Sequence, residues 1–118
     1  MAHVTILHNP NCSTSRAALD TARTLGVDAE VIQYLKKPPN RGELERIVTI
    51  LEDPVTDLVR KDARFAALGL QAADYTDREA VIDLLVEHPE LLQRPVLVKG
   101  DHAIIGRPKD RVRDFLDA

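Results

Sequence analysis

The sequence predicts an α/β fold: a four-stranded mixed sheet made from a βαβ unit and then a ββα unit, with a helical insertion between the second and third strands. Three observations carry this expectation. Short β-branched, apolar runs stand near both ends, "HVTIL" early and "PVLV" with "HAII" late. Helical periodicity follows the first run and fills the middle of the chain. Proline and glycine mark most of the changes between them.

Each element has its own reason. "HVTIL", residues 3–7, is bounded by "HNPN" and reads as a buried first strand. The next helix is expected from Ser15 to Leu25, because Ala18, Ala22 and Leu25 share a face and Gly26 supplies a stop. "DAEVIQYL" reads as the second strand, ended by "KKPP". A strand, helix and strand in succession imply parallel pairing with a right-handed crossover. Asn40 is placed to cap a helix carrying Leu44, Ile47, Val48 and Leu51. Asp53 before Pro54 gives another start signal, with proline in the first helical position. Thr76 and Glu79 have capping-box spacing ahead of "AVIDLLVEH". The insertion thus covers about residues 41–92. "KGD" then joins the last two strands as a hairpin, and Pro108 opens a terminal helix through Leu116.

Composition narrows the class of protein. A chain of 118 residues, 44% hydrophobic and 30% charged, is expected to form one domain over residues 1–118. Aromatic residues make up only 3%, so the core must come from Val, Ile, Leu and Ala. A net charge of -3 gives no overall attraction to nucleic acid or to an anionic membrane, and neither is expected as a partner. Any anion must be held by a local cluster. No apolar run reaches membrane-spanning length, and a lone cysteine suits a reducing cytosol, so a cytoplasmic location is expected. No metal is expected, since the four histidines have no ligand spacing and no second thiol accompanies Cys12.

That cysteine lies in "HNPNCSTSR", residues 8–16. An ordinary thiol with a pKa near 8.5 is roughly 3% ionised at pH 7, and a shift to about 6.5 raises this to roughly three quarters. Here the first strand delivers Cys12 to a helix N-terminus, where unpaired N–H groups and the positive dipole end favour an anion. Ser13, Thr14 and Ser15 add hydroxyl groups, and Arg16 adds charge. A C-x-x-C pair is ruled out by Ser15, so any disulfide must form with another molecule. A C-x5-R phosphatase loop is ruled out by Ala18.

"HNPNCSTSR", with "RPVLV" and "IGRPKDRV" later, resembles the glutaredoxin-dependent arsenate reductase family along nearly the whole chain. The signature H-N-P-x-C-x-x-S-R matches at His8, Asn9, Pro10, Cys12, Ser15 and Arg16. The resemblance implies a thioredoxin-like fold, with Pro95 in a cis peptide beside the cysteine. It implies that Cys12 attacks arsenate, that Arg60, Arg94 and Arg107 bind it, and that glutathione as co-substrate and glutaredoxin as partner complete reduction to arsenite. No bound cofactor is implied. One departure stands out: Ser13 and Thr14 replace the Gly-Thr of the best-known members, and a Cβ at Ser13 restricts positive φ.

The remaining arginines, Arg23, Arg41, Arg46, Arg64, Arg78, Arg111 and Arg113, suit a solvated surface. Arg94 and Arg107 differ because both lie at strand ends beside prolines. His8 is open to two readings, support of the thiolate or satisfaction by backbone groups. His102 is expected to face solvent on the hairpin. Two other functions fit the residues: a glutathione-linked thiol oxidoreductase acting on mixed disulfides, and a non-catalytic thioredoxin-like regulator that binds RNA polymerase.

Overall fold

The computed structural model describes residues 4–117. Four strands, β1 (Val4–His8), β2 (Ala29–Gln33), β3 (Val96–Lys99) and β4 (His102–Ile105), form one sheet in the order β2-β1-β3-β4. β1 runs parallel to β2, whereas β1/β3 and β3/β4 are antiparallel. The mixed sheet is therefore the expected one. His3, read as the first residue of a strand, lies outside the described residues.

Alternation along the strands builds two apolar layers. Val4 and Ile6 of β1, with Leu97 and Ile104, pack against α1 (Ser13–Thr24) and α5 (Asp110–Asp117) through Ala18, Ala22, Val112 and Leu116. Leu7, Val96 and Ile105 face the other way, onto α2 (Arg41–Ile50), α3 (Ala63–Ala67) and α4 (Arg78–Glu87) through residues such as Leu44, Phe65 and Leu85. The central strands β1 and β3 are covered on both faces, which explains their nearly unbroken apolar runs.

Local chemistry sets the helix ends, and several differ from expectation. α1 begins at Ser13, two residues before the predicted start, because Arg16 N already donates to Cys12 O at 2.9 Å. Cys12 is thus the N-cap. α1 ends in a Schellman arrangement, with Val27 N bonded to Ala22 O and Gly26 N to Arg23 O, and Gly26 has φ 69°. The second strand stops at Gln33, since Lys36 and Lys37 N both turn back to Gln33 O. Tyr34 therefore leaves the sheet and enters the core.

Asn40 caps α2 as expected, and it forms a full capping box with Glu43. The box predicted at Thr76 and Glu79 is not formed. Asp77 is the N-cap of α4, its carboxylate accepting from Ala80 N at 2.8 Å, which moves Glu79 out of the reach-back position. Asp53 and Pro54 start only a four-residue 3₁₀ turn, Val55–Leu58, and Pro54 precedes it instead of opening it. The Asp53 carboxylate is engaged elsewhere, by Ile105 N and Arg111. α5 begins at Asp110, two residues after Pro108. The hairpin turn has φ 59° at Gly100, as its sequence suggested.

The arginines assigned to solvent are tied down more than expected. Arg41 bridges Glu79 and Asp83 between α2 and α4, and Arg64 pairs with Glu90. Arg111 departs furthest from that reading: it meets Asp53 at 2.8 Å and also donates to Ile105 O and Arg107 O. His102 is exposed on the hairpin, with Glu52 3.2 Å away.

Candidate active site

Three chain segments meet at Cys12. β1 ends at His8, and the turn Asn9–Asn11 leads into α1, with Cys12 N bonded to Asn9 O and Asn11 N to Asn9 Oδ1. The antiparallel register Val96↔Ile105 sets the Arg94–Pro95 segment beside Gly106 and Arg107. Gly106 N donates to Pro95 O at 2.8 Å, and the approach is tight: a Cβ on Gly106 would come within 2.7 Å of Pro95 Cγ. The Arg94–Pro95 bond is cis, as is Arg107–Pro108.

Arg107 joins these segments electrostatically. Its Nη2 lies 3.4 Å from Cys12 Sγ, while its Nε donates to Arg94 O at 2.8 Å, so a backbone carbonyl aims the guanidinium at the sulfur. Burial opposes ionisation of the thiol. The Ser15 N–H, the Arg94 guanidinium, the Thr14 N–H and the charge of Arg107 outweigh it, and the pKa falls below its ordinary value. Those two N–H groups are free because they belong to the first turn of α1.

The supporting residues have distinct tasks. Ser15 is fully buried, and its Oγ lies 2.7 Å from His8 Nδ1 while accepting from Asn9 N at 3.0 Å. The side-chain partner of His8 is thus the Ser15 hydroxyl. Burial and the charges of Arg16 and Arg23 depress its pKa, which keeps it neutral. Arg16 donates to Pro10 O at 2.8 Å and braces the loop. Ser13 occupies the first helical position, and no non-glycine residue among those described has positive φ, so its Cβ meets no backbone restriction there. Thr14 is half-buried beside it.

Arg60, the third expected arginine, is held by two side chains. Its Nε pairs with Asp62 at 3.1 Å and its Nη1 donates to Gln93 Oε1 at 3.3 Å. Gln93 Oε1 also accepts from Arg94 N, which links the two arginines. Sequence reasoning missed both Gln93 and Tyr34. The parallel register His8↔Gln33 carries the buried Tyr34 toward Asn9, and burial raises its pKa while Arg94, Asn9 and Arg60 oppose the rise. Tyr34 Oη and Arg94 Nε are buried without hydrogen-bond partners among the described residues. Alternation extended past β2 was the signal that could have found Tyr34. Among the described residues, no cluster of His, Cys, Asp and Glu is arranged to hold a metal, and no helix is long and apolar enough to cross a membrane.

The arrangement can present an ionised sulfur to an oxyanion held by guanidinium and backbone N–H groups. The chain is 40% identical over 114 residues to an arsenate reductase of Rhizobium meliloti, covering 96% of this chain and 81% of that one. It is 38% identical over 117 residues to an arsenate reductase of Escherichia coli, covering 98% and 82% respectively. A solved arsenate reductase from Vibrio cholerae superposes with a TM-score of 0.84 at 33% identity, covering 98% of each chain, and its thioredoxin-like architecture is shared here. The model of the ArsC family matches residues 7–115. Because that match takes in both the cysteine loop and the two strand ends that meet it, the chain belongs to the ArsC family.

Proposed function

We propose that this protein reduces arsenate to arsenite through Cys12, with glutathione and glutaredoxin supplying the electrons. The observation that carries the reading is the Arg107 guanidinium 3.4 Å from a sulfur whose pKa is already depressed. Arsenate and a thiolate repel one another, and attack requires that this charge be neutralised. Arg107, Arg94 and the first-turn N–H groups of α1 do so, and they favour the charge that develops on the arsenic oxygens. Arg60, paired with Asp62 and linked to Arg94 through Gln93 Oε1, is the third arginine assigned to the oxyanion in this reading.

The thiolate attacks arsenic, an As–S bond forms, and one As–O bond breaks as hydroxide leaves. Arsenic remains pentavalent at this stage. Completing the reaction requires two electrons and an external thiol, because the chain holds a single cysteine. Two thiols are oxidised to one disulfide, arsenic becomes trivalent, and one arsenate oxygen departs as water.

An NADPH-coupled assay with glutathione, glutathione reductase and glutaredoxin tests this reading, with one component omitted at a time. Oxidation of NADPH should require arsenate, Cys12 and glutaredoxin together. Turnover that persists in Cys12→Ser overturns the mechanism, and activity on mixed disulfides with none on arsenate overturns the substrate.

A further inference from the structure

We propose that Asp53 and Arg111 are positioning residues for Arg107: their ion pair clamps the chain between Ile105 and Arg107 and so fixes the guanidinium at the Cys12 sulfur. This rests on the reading of Cys12 as the reacting sulfur. Val96↔Ile105 is the last pair between β3 and β4, and Arg107 lies two residues beyond it. On the β3 side that extension is held by Gly106 N, which donates to Pro95 O, and by Arg107 Nε, which donates to Arg94 O. A strand end secured along one side alone can pivot. With Arg107 Nη2 3.4 Å from Sγ, even a small pivot weakens the contact.

The ion pair secures the other side. Leu51 bridges Ala103 and Glu52 N donates to Ala103 O, so the chain leaving α2 runs along β4 and delivers Asp53 to Ile105. Pro54 follows and has no N–H to continue the pairing. The Asp53 side chain continues it instead: Oδ2 accepts from Ile105 N at 2.9 Å, and Oδ1 accepts from Arg111 Nη1 at 2.8 Å. The same nitrogen reaches Ile105 O at 3.0 Å and Arg107 O at 3.3 Å. The Asp53 side chain is only 15% exposed and that of Arg111 33%, so the pair is screened less than a surface bridge and holds one geometry. Its bonds end on the main chain of residues 105–107, and it acts on the sulfur through Arg107.

A double-mutant cycle separates positioning from packing. Arg111→Met should raise the pH midpoint of Cys12 alkylation by iodoacetamide. It should also lower kcat/KM for arsenate about tenfold, a fraction of the roughly 100-fold that a 1 Å misplacement costs. Asp53→Asn keeps an oxygen for Ile105 N and removes the charge that holds Arg111, so both readouts should move the same way by less. In an Arg107→Ala background, Arg111→Met should leave the alkylation midpoint where Arg107→Ala alone puts it, because no guanidinium remains to be aimed. Urea midpoints establish that each variant is folded under the assay conditions, and Asp53→Asn carries the same cycle if Arg111→Met does not fold. An alkylation midpoint unmoved by both substitutions, or moved equally with and without Arg107, would overturn the proposal. Alkylation needs no arsenate, so a protein whose thiol responds as expected and fails to reduce arsenate refutes the proposed function alone. A protein that reduces arsenate with a thiol indifferent to Arg111 and Asp53 refutes the clamp alone.

Discussion

His8 Nδ1 lies 2.7 Å from Ser15 Oγ, tying the end of the first strand to the first turn of the following helix across the loop that carries Cys12. Since Oγ also accepts from Asn9 N, its own hydrogen is available to Nδ1 of a neutral imidazole protonated at Nε2. Ser15→Ala removes the partner of two groups at once. The expected loss is about 1–3 kcal/mol, read as a lower urea midpoint, with a rise in the Cys12 pKa as the loop loosens. An unchanged midpoint and an unchanged pKa would contradict this role.

The burial of His8 predicts an acid limb in stability. The His8 pKa is depressed in the folded chain from its ordinary 6.5, first by burial and then by Arg16 and Arg23. Below pH 6.5 the unfolded chain takes up a proton that the folded chain refuses. The contribution is thus complete above 6.5 and is lost as pH falls through the folded value. Urea midpoints at pH 7.5 and pH 5 should differ less in His8→Asn than in wild type.

Cys12 titrates with the same sign. Its folded pKa lies below the ordinary thiol value because the Ser15 N–H, Arg94, the Thr14 N–H and Arg107 overcome the effect of burial. Between the folded and the ordinary value the unfolded chain holds more protons, so stability rises with pH across that interval and the contribution is lost as pH falls through the folded pKa. Alkylation by iodoacetamide should reach half its maximal rate at a lower pH than in the urea-unfolded chain. In Arg107→Ala that midpoint should move upward.

Two of the arginines at the loop, Arg107 and Arg16, should separate in kinetics. Arg107→Ala removes a donor directed at the sulfur, and kcat/KM for arsenate should fall about 100-fold, as when one oxyanion donor is lost. Arg16→Ala removes the bond to Pro10 O at the exposed rim and a charge felt by His8, but no donor directed at the sulfur. Its loss should be at least tenfold smaller than that of Arg107→Ala. Equal losses would mean that Arg16 contacts the substrate.

Gly106 is a packing constraint on the site. A Cβ there would meet Pro95 Cγ at 2.7 Å, Leu97 Cδ1 at 2.9 Å and Val112 Cγ2 at 3.1 Å, all from well-packed residues. Gly106→Ala should destabilise by about 1–3 kcal/mol through overpacking, measured by thermal or urea unfolding. Displacement of Pro95 should also lower arsenate turnover in the fraction that remains folded.

The mixed four-stranded sheet and the thiol's place on a strand-to-helix turn were legible because they depend on local patterns: short apolar strands and a turn of small residues before a helical run. Boundaries set by competition between neighbours were less so. Thr76 and Asp77 are both good caps, and only the chain path decides that Asp77 faces Ala80 N. Long-range pairing was not legible at all. Nothing around Arg111 in sequence points to Asp53, 58 residues away, and nothing near Gln93 announces that its amide oxygen serves both Arg60 and Arg94. Those contacts exist only once the insertion has folded against the sheet.

The segment after α2 lies along β4: Leu51 bridges Ala103, Glu52 N donates to Ala103 O, and Asp53 accepts from Ile105 N. That rim of the sheet is already occupied by the chain itself, whereas the opposite rim, β2, pairs with no further strand among the described residues and has Val31 39% exposed. Growth of a fibre by strand addition requires two free rims on every copy, and the described residues offer one. Strand addition at β2 would therefore join two copies and stop there.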